Sequence, residues 1–127
     1  MNDKPKELDW DEVAKANIDL AERLFREGVS IAYDEDGDSL FLTIGEGREA
    51  ITEQIVDGIY FRIDPGTLKV IGCVIIAFIS DILANNKLAR KMFQEGFAQL
   101  RQQGDSVRWE GLQAQKVQPL FELVISR

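Results

Sequence analysis

Between residues 29 and 78 apolar and polar side chains alternate in short runs that are cut by turn-forming residues. A period of two predicts strands, because successive side chains of a strand point to opposite faces. Val29, Ile31 and Tyr33 fall on one face of a first strand, and Leu40, Leu42 and Ile44 on one face of a second. Asp34-Glu35-Asp36-Gly37-Asp38 between them is turn chemistry, with Gly37 placed for the positive φ of a type I turn with a G1 bulge. A second hairpin is expected to pair Ile59, Phe61 and Ile63 with the run 68–76 across Asp64-Pro65-Gly66-Thr67. There proline presets φ and Gly66 supplies the positive φ of a type II turn. The segment 50–56 fits either a short strand or a loop. The run 68–76 is apolar on both parities, which predicts that one of its faces is covered by a helix and the other by a second helix or another subunit.

On either side of this stretch the period changes to that of a helix. Asp9 is placed to cap a helix over 10–27, with Asp11 in the first turn and Glu12 three residues beyond the cap. Trp10, Val13, Ala14, Leu20, Ala21, Leu24 and Phe25 make one broad stripe whose only polar member is Asn17, and Gly28 stands where the helix is expected to stop. The stripe predicts packing on the sheet, with docking onto a partner as the sharper alternative. After Ser80, Leu88, Met92, Phe93, Phe97 and Leu100 recur at helical spacing up to Gly104. Residues 107–110 and 120–125 read as two further strands, the second preceded by Pro119, where a missing backbone donor does little harm. The expected architecture is α+β in a single domain over residues 1–127. It comprises an N-terminal helix (9–28), a four-stranded antiparallel meander (29–78), a long C-terminal helix (80–104) and a short β tail (105–127).

Composition narrows the classes of function. Lys plus Arg number 15 and Asp plus Glu 22, for a net charge of −7. An acidic surface repels phosphate backbones and anionic headgroups, so neither nucleic acid nor a membrane is an expected partner. There is no histidine, which removes the commonest general base and the commonest metal ligand together. The single cysteine, Cys73, lies in the most apolar strand, which predicts a buried and inert thiol. The longest apolar run, 70–79, falls well short of the roughly 18 residues that span a bilayer. The polar start MNDKPKELDW lacks the apolar core of a signal peptide, so a cytoplasmic protein is expected.

The sharpest candidate for chemistry is the acidic turn. Asp34, Asp36 and Asp38 stand at the first, third and fifth positions of an EF-hand calcium loop, but Ser39 takes the sixth place, where glycine is needed, and Gly45 the twelfth, where glutamate belongs. The three are metal candidates, beside the plainer reading of a solvated turn. Asp57 and Asp64 also sit near strand ends, yet no pattern gives two carboxylates the unequal environments that acid–base catalysis needs. No catalytic residue and no cofactor is assigned. Gly45-Glu46-Gly47-Arg48-Glu49 lacks the third glycine and the following helix of a dinucleotide fingerprint, and its glutamates repel pyrophosphate, so it reads as a surface loop. Lys87, Arg90, Lys91 and Arg101 lie opposite an apolar stripe and read as a solvated helix face.

Tyr33-Asp34, Asp38 and Leu40-Phe41-Leu42 together form a pattern that resembles the first hairpin of the DUF2283 family, small prokaryotic proteins of unknown function. Asp57-Gly58-Ile59, the Asp64 turn and Val70-Ile71-Gly72 are similar to that family's later elements, so the resemblance spans residues 31–76. Where the family commonly carries a glutamate two residues after the glycine, this chain has Val74. The resemblance implies a compact β-hairpin core in a prokaryotic cytosol and no established activity. The surplus of strands apolar on both sides points to protein association, as a homodimer or with a small protein partner. The alternative is a small ligand or metal ion held by Asp34, Asp36 and Asp38.

Overall fold

The computed structural model describes residues 8–85, 87, 89–91, 93 and 106–125. Six strands are present among them: β1 Val29–Asp34, β2 Ser39–Ile44, β3 Ile51–Val56, β4 Ile59–Ile63, β5 Val70–Ile75 and β6 Ser106–Trp109. They form one antiparallel sheet in the order β3-β4-β5-β2-β1-β6. The four-stranded meander is therefore corrected. Residues 50–56 supply a strand, β3, which pairs with β4, and β5 folds back to pair with β2 from Leu40↔Ile75 to Thr43↔Gly72. The physical reason lies in β5 itself, whose Val70, Ile71, Cys73 and Ile75 are all buried. The most apolar strand takes a central position, hydrogen-bonded along both edges.

Both hairpin turns differ from expectation. In the first, Asp38 rather than Gly37 takes the positive φ, at 49°. In the second, Asp64 Oδ1 accepts from the amides of Gly66 and Thr67, the Leu68 amide donates to the Asp64 carbonyl at 2.8 Å, and the positive φ falls on Leu68 at 62°. The aspartate thus winds a tight helical turn in place of a type II turn, and the left-handed residue comes at its end.

The flanking elements also depart from the expected plan. The helix over 10–27 is two helices, α1 Trp10–Ala16 and α2 Leu20–Glu27, with Asp9 capping the first as expected and Gly28 at φ 75° ending the second. Among the described residues the long C-terminal helix over 80–104 is not seen. The chain instead leaves β5 through Ala77, left-handed at φ 50°, whose carbonyl accepts from the amides of both Asp81 and Ile82, and so opens a π-helix, Phe78–Leu83. Helical positions follow at Ala84, Asn85, Lys87, Ala89, Arg90, Lys91 and Phe93, while Leu88, Met92, Phe97, Leu100 and Arg101 lie outside the described residues. Of the β tail, residues 107–109 join β6, but 120–125 form no strand. The chain runs through short helical turns, Gly111–Ala114, Gln115–Val117, Gln118–Phe121 and Glu122–Val124. Ala114, Val117, Leu120 and Phe121 are buried at helical spacing, and Pro119 falls in a first turn, where no amide donor is needed.

Every one of these helical elements packs on the same side of the sheet. Val13, Leu20, Leu24, Phe78, Val117 and Phe121 belong to one cluster with the inward residues of the strands, such as Ile31, Leu42, Phe61 and Cys73. Phe121 stacks on Phe61 at 5.7 Å, and Phe78 meets Phe93 edge to face at 5.3 Å. Aromatic pairs at such distances each contribute about 1 kcal/mol beyond the area they bury. Among the described residues the expectation that both faces of β5 are covered holds for one face only: Tyr60, Arg62, Gly72, Val74, Phe41 and Thr43 lie outside the cluster, while Val70 joins it across the register shift that sets it against Ile63.

The layers are pinned together by a buried polar group. Asn17, fully buried, donates from Nδ2 to the carbonyls of Val13 at 2.7 Å and Leu68 at 3.0 Å. Its Oδ1 accepts from the Val70 amide at 2.8 Å and from Arg23 Nη1 at 3.3 Å. Arg23, also buried, donates from Nη2 to the Val70 carbonyl at 2.8 Å and pairs with Glu27 at 3.5 Å. β2 reaches along β5 only as far as Gly72, so the amide and carbonyl of Val70 beyond that end lack a strand partner, and two helix side chains replace it. Asn17 stands at the break in the N-terminal helix, as the C-cap of α1. Asn17→Ala leaves several buried groups unpaired and is expected to lower the unfolding free energy by about 3 kcal/mol. Urea denaturation checks this, and a loss below about 1 kcal/mol contradicts the role assigned to Asn17.

Candidate functional site

The acidic turn is built as a latch. Asp38 Oδ1 accepts from Tyr33 Oη at 2.6 Å and from the Ile79 amide at 2.9 Å, and its Oδ2 accepts from the Ser80 amide at 3.1 Å. The Asp38 carbonyl accepts from the Phe78 amide at 2.8 Å, so one residue secures the start of the π-helix to the first hairpin. Burial pushes the Asp38 carboxyl up, but the hydrogen bonds from Tyr33, Ile79 and Ser80 outweigh it and hold the group at about 2. Asp34, by contrast, is exposed and uses Oδ1 to accept from the Asp36 amide at 3.1 Å. Among the described residues no three His, Cys, Asp or Glu side chains are grouped so as to hold a metal ion.

The remaining sequence candidates are equally committed to structure. Asp64 is held below its ordinary value chiefly by the Gly66 amide, against the opposing effect of burial and with help from Thr67 and Arg48. Burial pushes the Cys73 thiol up, which leaves it protonated and unreactive. The loop Gly45-Glu46-Gly47-Arg48 rims a cleft of about 410 Å³ together with Glu27, Ile44 and Arg108. Both cations there are engaged, Arg48 with Asp64 at 3.3 Å and Arg108 with Glu110, Ser30 Oγ and the Glu27 carbonyl. Of the basic cluster, Lys87, Arg90 and Lys91 are exposed as expected, and Arg101 lies outside the described residues.

Among the described residues no helix covers the second face of the sheet, and strand register arranges that face in rows. One row runs Gln54, Tyr60, Val74, Phe41, Ala32, Ser106, across all six strands and without a charge. The next runs Thr52, Arg62, Gly72, Thr43, Ser30, Arg108. Phe41 is 41% exposed although it lies on β2 in the middle of the sheet. Gly72, one pair along from Val74, is buried and has to be glycine: an added Cβ would lie 2.8 Å from the Leu42 carbonyl and 3.5 Å from Cδ of Arg62. Sequence reasoning placed Phe41, Tyr60 and Val74 in strands but did not bring them together. Their common parity was readable, whereas the β2–β5 pairing that joins them was not.

Comparisons of the chain with protein-family models, with curated proteins and with solved structures return no match. Among the described residues no helix is long and apolar enough to cross a membrane.

Asp38 yields a prediction in pH. A carboxyl depressed to about 2 from an ordinary 3.8 stabilises the fold fully above about pH 4, and this contribution is lost as pH falls through about 2. Asp38→Asn keeps the shape but removes the charge. Its acid-unfolding limb between about pH 4 and pH 2 is expected to be shallower than that of the wild type, with about 1 kcal/mol lost at neutral pH. An unchanged limb, followed by circular dichroism, contradicts the latch.

Proposed function

We propose that this chain is a cytoplasmic protein-association module without catalysis, whose docking surface is the open face of the sheet. The observation that carries the reading is the uncharged row containing Phe41, Val74 and Tyr60, which lies at the centre of the sheet on the side away from every described helix. Burying one exposed phenylalanine contributes up to about 3 kcal/mol, so a few such side chains sustain a specific contact. The reading includes the resemblance of residues 31–76 to the DUF2283 family, in which Val74 replaces a commonly charged position. That exchange turns the middle of the face from acidic to apolar.

Phe41→Lys puts a charge at the centre of this face while the helical side is untouched. It is expected to leave the circular dichroism spectrum and melting temperature within a few degrees of wild type. Its association, measured by sedimentation velocity at micromolar protein, is expected to weaken at least tenfold, or by about 1.4 kcal/mol. Where the wild type associates, with itself or with another protein, equal association by the variant overturns the reading.

A further inference from the structure

Resting on that reading, we infer that the occupant of the open face is a second copy of this chain, packed face to face about a two-fold axis that runs along β5 above Val74. Charge selects the occupant. The chain carries 22 acidic residues and a net charge of −7, so two copies repel wherever their carboxylates meet. On the four central strands the open face carries a single carboxylate, Asp34, and that lies at the hairpin end of β1. Its guanidiniums are already held, Arg62 by the Arg48 carbonyl at 3.0 Å and Arg108 by Glu110. A phosphate backbone or an anionic bilayer needs a concentration of cations that this face lacks. A neutral, aromatic surface of the same kind fits it, and the chain itself supplies one.

The arrangement is also self-complementary. Phe41 on β2 and Tyr60 on β4 flank Val74 on β5, one on each side in the same row. A two-fold axis along β5 exchanges the two sides, so Phe41 of one copy lies over Tyr60 of the other, and each Val74 faces its counterpart. Face-to-face sheets pack about 10 Å apart, a gap that side chains of this size fill from both sides. Joining edge to edge is obstructed. β3 carries a bulge between Gln54 and Val56 that breaks the ladder, and β6 at the other edge has only 4 residues.

The test is site-directed cross-linking of the full chain. Val74→Cys treated with a short bis-maleimide is expected to give a covalent dimer on a denaturing gel, at twice the 14.4 kDa of the chain. Leu112→Cys, 76% exposed on the helical side, is expected to give none, and the wild type none because Cys73 is buried. Light scattering is expected to return a dimer for the wild type and a monomer for Phe41→Lys. A dimer that cross-links through Leu112→Cys and not through Val74→Cys overturns the inference. A wild-type monomer overturns it as well. If Phe41→Lys then abolishes binding to a different protein, the association reading survives with another occupant. If Phe41→Lys changes nothing that the protein binds, both fall.

Discussion

The structure depends on how the open end of β5 is satisfied. A central strand that outruns its neighbour leaves a buried amide and carbonyl without partners, and each such group costs about 1–3 kcal/mol if nothing replaces the missing strand. Asn17 and Arg23 replace it. Asn17 uses both amide hydrogens and accepts two bonds at its oxygen, so its whole hydrogen-bonding capacity is engaged inside the protein. The end of α1, the Leu68 turn, the start of β5 and Arg23 of α2 all meet at that one side chain. An apolar residue there would suit a continuous helix better and would leave the sheet unfinished.

A second fastening acts at the opposite end of the same strand. Asp38 ties the first hairpin to the segment that leaves β5, and Tyr33 secures Asp38 in turn. Four residues of the hairpin region thereby acquire structural work: Tyr33 and Asp38 in the latch, Gly58 at φ 82°, and Gly72 against the Leu42 carbonyl. Together they fix how the hairpins are joined, while Val74 in the middle of the second face takes no part in that joining.

How much of this was legible in the sequence divides along the range of the interactions. The β1–β2 and β4–β5 hairpins, the Asp9 cap and the Gly28 stop were readable because each is decided within a few residues. The break at Asn17 was not, because its partners at Leu68 and Val70 lie some fifty positions away. The order of the strands was hidden for the same reason. The last apolar run alternated well enough to suggest a strand, but Pro119 suits the first turn of a helix equally, and packing of Phe121 on Phe61 decided between them. Of the candidate site, the acidic turn was visible as a cluster of carboxylates, while its role as a latch depended on amides at Ile79 and Ser80, forty positions on.

The place of β6 beside β1 has a consequence for the growing chain. β1 precedes the other five described strands in the chain, and its outer edge pairs with Ser106–Trp109, the last of the six. Ser30 and Arg108, bonded across that edge, are 78 residues apart. Synthesis proceeds at about 5–20 residues per second, so the edge of β1 stays bare for several seconds after it emerges from the ribosome. During that interval the nascent sheet offers an unpaired strand to any neighbour, and the arrival of β6 removes the offer.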